Sequence, residues 1–392
     1  MKRTGWVALG LVTAVILLSV AVIFILHSGK ATARGNEMNY DRAVFNVTNA
    51  VTLTGFRLSV NVSDYKALGQ LSIFALIVSG SLVTLLVGGW ALTRAAGLPY
   101  DDQAILRATL IIYGLVILIG ATILIGAVGF WPAIFDSASA FGNSGHWLGT
   151  LPTWDQWFVQ TMLLPLGLLG GLGIPVLLDL ASSTTHFRSP SRYNFAVIVS
   201  CAILYILATG IITTCEMIDG DTFRHAVSVG STEVINSRSL GLPLEVFNNL
   251  SRPSQWVELL LMLIGASPGG TGGGIGTVVV FIFLCFAIRI MKGQSVPPIF
   301  GLICIWIVLY LLATLTTTIL LISAQPQVQA DRLMFLAVSA IGNVGTSHEP
   351  LTSTGSTLYI LSSAMFFGRF APLAMLWWAG RSFIPRAALA TK

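Results

Sequence analysis

Apolar residues run along this chain in long blocks, not at the two-residue or 3.6-residue period of half-buried soluble elements. Eight stretches approach or exceed the roughly 20 residues that carry a helix across a bilayer. They are about 5–27, 67–93, 105–128, 155–180, 194–215, 256–290, 299–322 and 355–381. The first follows Lys2-Arg3 and imitates a signal peptide. Its apolar run, Trp6 to Leu26, is longer than the usual core of about 7–15 residues, so a retained first span is expected. The sixth is too long for one simple span. It carries Gly265-Ala266-Ser267-Pro268-Gly269-Gly270-Thr271-Gly272-Gly273-Gly274, where Pro and clustered Gly cannot hold regular helix. Unwound backbone at mid-membrane marks an ion path; the plainer alternative is a kink in a tilted helix.

Each odd span is joined to the next even one by a linker holding a semi-polar segment too short to span. At membrane depth such a segment must be buried in protein or line a cavity. Four share one pattern of small polar residues, a glycine and a return: Phe45–Phe56, Phe135–His146, Val234–Leu242 and Ala337–Thr346. Their glycines, Gly55, Gly145, Gly241 and Gly345, are separated by 90, 96 and 104 residues, near a quarter of the 392-residue chain. Ordinary outer loops with chance glycines are the competing explanation. The repeat reading makes the protein an all-α polytopic membrane protein of eight spans, with four pseudo-repeats of span, pore helix and loop, and span around one pore. The repeats are 1–98 (filter loop 52–56), 99–190 (142–146), 191–296 (237–242, with the break at 265–274) and 297–392 (342–346). A short helix ending at a pore points its carbonyl dipoles at a cation, and the following loop can turn carbonyls inward to replace its water. Glycine permits the positive φ and close approach this needs.

Composition agrees. The chain is 55% hydrophobic and 9% charged, against about 25% charged for soluble domains. Its mean hydropathy is +0.83. A disordered chain, a soluble enzyme and a nucleic-acid binder are excluded. The pI of 9.2 reflects basic residues on the cytoplasmic side. Lys2, Arg3, Arg94, Arg107, Arg188, Arg192, Arg289, Lys292, Arg381, Arg386 and Lys392 fall on one side with three acidic residues, Asp101, Asp102 and Asp179. The other side carries nine basic and 13 acidic residues. An even number of spans puts both termini in the cytoplasm of a plasma-membrane protein. The outer acidic residues Asp136, Asp155, Glu216, Asp219, Asp221, Glu233 and Glu245 either concentrate cations at the mouth or form an ordinary solvated rim. Cys201, Cys215, Cys285 and Cys304 lie in apolar runs without a C-x-x-C pair, so no zinc or disulfide framework is implied. A membrane hydrolase would need a nucleophile beside His146, His225 or His348, and no G-x-S-x-G context exists.

Thr52-Leu53-Thr54-Gly55-Phe56, Ser139-Ala140-Phe141-Gly142-Asn143-Ser144-Gly145, Ser237-Arg238-Ser239-Leu240-Gly241 and Ser339-Ala340-Ile341-Gly342-Asn343-Val344-Gly345 resemble the pore loops of the Trk/Ktr/HKT potassium transporter superfamily. The Gly265–Ile275 run resembles the family's intramembrane gate loop. Phe367-Gly368-Arg369-Phe370-Ala371-Pro372-Leu373 resembles its final span with a buried arginine. The chain opens at the first span of the first repeat, which makes it similar to the Ktr-type membrane subunit. The resemblance implies a gated, channel-like potassium pathway that is not an enzyme and binds no cofactor, with K⁺ as the transported ion held by backbone carbonyls. It implies a filter of Thr54, Gly55, Asn143, Ser144, Gly145, Ser239, Leu240, Gly241, Asn343, Val344 and Gly345. It implies a gate of Gly269, Gly270, Thr271, Gly272, Gly273 and Gly274 with Arg369. It further implies a homodimer in the lipid bilayer on a cytoplasmic ring of nucleotide-binding regulatory subunits.

Gly55 matches the residue that goes with potassium preference in the family. His146 stands where Phe is usual, Leu240-Gly241-Leu242 replaces Ala-Gly-Phe, Asn343 replaces Thr, and Gly276 stands where Lys is frequent. Arg369 lies mid-span, where a cation costs about 2.5–3.5 kcal/mol or more. It is either an electrostatic barrier holding the gate loop's carbonyls or an arginine packed on helix ends for structure alone. Arg238 either fixes the third loop by bonding carbonyls, with Glu233 as a candidate partner, or is a solvated outer charge. An ion-coupled (Na⁺ or H⁺) secondary cation transporter and a non-conducting degenerate homologue stay open as alternatives.

Overall fold

The computed structural model describes residues 2–32, 38–58, 60–148, 153, 155–185, 187, 189–242, 249–348 and 351–382. Among these the chain is helical, with only isolated bridges, Thr32 to Tyr65 and Leu58 to Leu351. Arg188, Arg386 and Lys392 lie outside the described residues.

Six helices are long and apolar enough to cross a membrane. These are α1 (Lys2–His27), α3 (Ala67–Ala95), α4 (Asp102–Val128), α8 (Arg192–Ile218), α12 (Ile299–Ala324) and α14 (Ser356–Ser382). Between them lie four short helices: α2 (Tyr40–Val51), α5 (Phe130–Gly142), α9 (Phe223–Ile235) and α13 (Ala330–Ile341). The remaining two apolar stretches are interrupted. The fourth runs as a π turn (Val159–Leu163) and α6 (Leu164–Leu172), then α7 (Ile174–Thr185), bent by 100°. The sixth divides into α10 (Arg252–Ile264) and α11 (Thr277–Met291) around an unwound segment, 265–276. Six continuous helices, one bent pair and one broken pair therefore account for the eight apolar stretches.

The bend in the fourth stretch is a departure from the straight span expected there. Gly173 takes φ +83°, and Pro175 has no N–H to continue the ladder. A Cβ on Gly173 would sit 2.7 Å from Gly269 O, so the helix turns where the unwound segment occupies its path.

Burial ranks the long helices. α3 buries 61% of its most apolar window, against 17% for α1 and α4 and 22% for α12. α3 is thus central, and its small residues permit this. A Cβ on Gly80 would overlap Val51 O at the end of α2, and one on Gly88 would lie 3.0 Å from Gly269 Cα. Van der Waals packing through small residues is the main attraction between helices in lipid. The outer helices carry apolar side chains to the surface instead, such as Leu118 on α4 and Ile206 on α8. Cys285 on α11 is also exposed.

One end of the bundle is tied together. Arg94 at the end of α3 pairs with Asp102 at the start of α4 at 2.6 Å and lies 5.2 Å from the Trp377 ring of α14. Thr4 of α1 donates to the same carboxylate.

Gly80→Ala is expected to cost about 2–3 kcal/mol through the forced shift between α2 and α3. Gly114→Ala on α4, where a Cβ meets open space, is expected to stay within about 1 kcal/mol of the parent. Thermal unfolding of both variants in detergent checks the difference.

Candidate functional site

The four short helices end at one place. α2, α5 and α13 end alike. The helix closes, a non-glycine residue enters the left-handed region (Leu53 φ 57°, Asn143 φ 52°, Asn343 φ 50°), and a left-handed glycine follows two residues later (Gly55, Gly145, Gly345). The residue between is anchored to the helix in each case, Thr54 N to Asn49 O, Ser144 N to Ser139 O and Val344 N to Ser339 O, at 2.9–3.0 Å. The third loop differs. α9 continues as a π turn, Asn236–Leu240, and only Gly241 (φ 64°) is left-handed. The side chain of Ser239 lies outside the described residues.

The glycines interlock in chain order. A Cβ on Gly55 would overlap Ser144 O, and one on Gly145 would lie 2.9 Å from Gly241 O. One on Gly241 would overlap Val344 O, and one on Gly345 would overlap Thr54 O. The four aligned glycines thus form a closed cycle in which each loop's backbone faces its neighbour's carbonyl. The first and third loops are opposite one another.

Side chains hold these loops from behind. Asn49 Oδ1 accepts from Gly55 N and Phe56 N, both at 2.9 Å, and Asn49 Nδ2 donates to Phe56 O at 2.9 Å. Asn236 makes the same clamp on Leu242, accepting from its N–H and donating to its carbonyl at 2.8 Å. In the second loop Ser139 Oγ donates to His146 O at 2.5 Å, and Asp136 accepts from Leu148 N at 2.9 Å. Sequence reasoning passed over Asn49, Ser139 and Asn236 as site residues. Their shared position, five residues before the anchored or left-handed loop residue, is a signal that could have found them. Asp136, Glu216 and Glu233 are buried, not part of a solvated rim. His146 is buried as well: its Nδ1 donates to Ser144 O of its own loop at 2.9 Å, and its Nε2 meets Asn49 Nδ2 behind the first loop at 3.5 Å.

Asn143 and Asn343 show why Asn suits the left-handed position, since it tolerates that conformation and brings a polar side chain. Asn343 Nδ2 donates to Thr54 Oγ1 (3.0 Å) and Met365 O (2.9 Å). Asn143 Nδ2 donates to Gly167 O (2.9 Å) and Thr271 Oγ1 (2.7 Å).

Thr271 belongs to the unwound segment, which lies directly against the cycle of loops. Its hydroxyl donates to Phe141 O at 3.0 Å, and its N–H donates to Gly170 O. A Cβ on Gly273 would overlap Gly342 O, and one on Gly270 would overlap Gly171 O, so only glycine permits this approach. Arg369 is 3% exposed and spends its guanidinium on carbonyls of both parts. Nε donates to Thr52 O at 2.7 Å and Nη2 to Leu53 O at 3.3 Å. Nη1 donates to Thr271 O at 2.5 Å and reaches Gly272 O at 3.5 Å. Gly269, Gly270, Thr271, Gly272, Gly273, Gly274 and Arg369 are therefore brought together as one unit beneath the loops. The same segment and Arg369 line one side of a cavity of about 350 Å³, completed by residues of α3, α11, α12 and α14 that include Trp306 and Pro372, with no filter-loop residue in its lining.

Fold and site together define a multi-pass, helical membrane protein with four convergent loops against an unwound, arginine-held segment. No family model matches the chain. It is 23% identical over 388 residues to Ktr system potassium uptake protein B of Vibrio alginolyticus, covering 86% of this chain and 84% of that one. It is 23% identical over 418 residues to Ktr system potassium uptake protein D of Bacillus subtilis (strain 168), covering 94% and 92%. Its fold superposes on the crystal structure of the potassium transporter TrkH from Vibrio parahaemolyticus with a TM-score of 0.74, covering 98% of this chain and 84% of that one at 14% identity. The resemblance to the Trk/Ktr superfamily read from the loops holds in sequence and in fold, and all three of these proteins are named for potassium uptake or transport.

Asn49→Ala leaves two N–H groups and one carbonyl of the first loop unpaired and is expected to cost about 2–4 kcal/mol. Thr122→Ala, whose hydroxyl bonds only Leu118 O of its own helix, is the control and is expected to change little. Unfolding curves in detergent compare them.

Proposed function

We propose that this protein is a potassium-translocating membrane subunit, with K⁺ as its cargo and not a resident cofactor. The observation that carries the reading is the closed cycle of four left-handed glycines. In it the carbonyls of Thr54, Ser144, Gly241 and Val344 each lie against the aligned glycine of a neighbouring loop, and Arg369 bonds the first loop and the unwound segment. Backbone carbonyls are the ligands that replace a potassium ion's hydration shell. The names of the two curated relatives and of the structural neighbour, all potassium uptake proteins or transporters, support the same ion.

In this reading the bent and broken pairs each count as one span, giving eight, and the four short helices are pore helices of four repeats. Both termini are cytoplasmic, in keeping with the distribution of basic residues. The segment 269–274 is the gate. It closes the path below the filter, and Arg369 adds a positive charge where a cation would pass. That charge is strong in a low-dielectric site and opposes the ion until the loop and arginine move aside. Two protomers pair in the bilayer, each with its own path, and a cytoplasmic ring of nucleotide-binding subunits works the gate.

The π turn before Gly241 favours a second reading, a homologue that keeps the fold but does not conduct. Three loops follow one backbone course and the third does not, so its carbonyls need not complete the ring.

Flux from proteoliposomes of the purified chain, with K⁺ and Na⁺ gradients measured separately, separates the two. Potassium flux well above sodium flux supports the filter. Arg369→Ala is expected to raise potassium flux at least about tenfold, which corresponds to about 1.4 kcal/mol of barrier. Unchanged flux in a folded Arg369→Ala protein sinks the barrier role. Absence of flux in both proteins, with the cytoplasmic partner added, leaves the non-conducting homologue.

A further inference from the structure

Arg238 and Arg369 are the buried arginines among the described residues. Arg369 bonds the middle of the unwound segment, at Thr271 and Gly272. Arg238 bonds its two ends. Gly265 caps the C-terminus of α10, and Thr277 is the first residue of α11. Arg238 Nε donates to Gly265 O at 3.2 Å, and Nη2 donates to Thr277 Oγ1 at 2.8 Å. The Thr277 hydroxyl in turn donates to Gly265 O at 2.7 Å, closing a three-membered network around the two hinge points. Cys201 Sγ on α8 accepts a further bond from Nη2 at 3.2 Å.

The physical basis is the end of a helix inside a membrane. The last carbonyls of α10 have no intrahelical donors and carry the negative end of its dipole. A guanidinium, with five donors in a planar fork, satisfies both the carbonyl and the neighbouring hydroxyl. Arg238 can reach them because it lies in the π turn that leads into Gly241, three residues further on. The same turn therefore shapes the third loop and delivers the arginine to the hinge.

We propose that Arg238 is a positioning residue of the gate, fastening the third filter loop to both hinges of the unwound segment. This rests on the gate reading above. The two arginines then work from opposite sides of the cycle. Arg369 ties the segment's middle to the first loop, and Arg238 ties its ends to the third. Movement of the segment by either hinge pulls on residues three positions from Gly241, so gate and filter act as one unit.

Hydrogen exchange of the full chain in detergent, resolved by peptide, tests this without depending on ion flux. In Arg238→Gln, amides of residues 265–277 are expected to exchange at least about tenfold faster, with α3 and α14 unchanged. Thr277→Val, nearly isosteric, removes the shared acceptor and is expected to move the same amides in the same direction. It is the deciding variant if Arg238→Gln does not fold. In proteoliposomes Arg238→Gln is expected to raise potassium flux, and adding Arg369→Ala is expected to give less than the product of the two single effects. Unchanged exchange at 265–277 in the folded variants overturns the proposal, as does faster exchange spread evenly over the chain. A parent protein that carries no ion overturns the transport reading, while the exchange comparison still decides the role of Arg238.

Discussion

Backbone carbonyls that leave a helix inside a membrane must find donors within the protein, and this structure depends on how two arginines supply them. The break at 265–276 frees carbonyls inside the helical bundle, where they must find donors. Arg369 takes Thr271 and Gly272 from one side, Arg238 and the Thr277 hydroxyl take Gly265 from the other, and the N–H groups of Ala266, Ile275, Gly276 and Thr277 take Gly273, Leu263, Ile264 and Ala266. The cost of burying two guanidinium groups is offset because each is surrounded by oxygen acceptors. The same bonds give the unwound segment a defined shape in place of a disordered one.

Close approach is the second constraint, and it explains why glycine is so frequent. The loops meet backbone to backbone, and the unwound segment meets Gly171 and Gly342 in the same way. The bend at Gly173 belongs to this packing, since the fourth stretch turns aside where Gly269 lies. Breaks in two different apolar stretches thus have one cause. The backbone of 269–273 needs room beneath the loops, and its neighbours yield it by bending or by omitting side chains.

The part of the chain around the third loop stands apart. It contributes the π turn, the second buried arginine and the broken pair of helices. Its loop is clamped by Asn236 much as the first is clamped by Asn49, but one left-handed residue replaces two. An arrangement that looks fourfold in sequence is therefore asymmetric in structure, with the unwound segment fastened by arginines to the first and third loops and by Thr271 to the second.

Much of this was legible in the sequence, because a bilayer makes hydropathy decisive. Blocks of about 20 apolar residues announced the long helices, the four glycines announced the convergent loops, and clustered Gly with Pro268 announced the break. Arg369 was conspicuous because a mid-span cation needs a partner. Other features were settled only by tertiary structure. The 100° bend at Gly173 depends on a segment about 100 residues away, and one Gly-Ile-Pro in an apolar run does not reveal it. Arg238 could be read either as a solvated charge or as a brace, since the choice turns on whether α10 ends beside it. Asn49, Ser139 and Asn236 looked like ordinary polar residues until the loops folded back onto them. Local sequence determines which backbone can span and where it must break. Which groups satisfy the broken backbone is decided only when distant repeats come together.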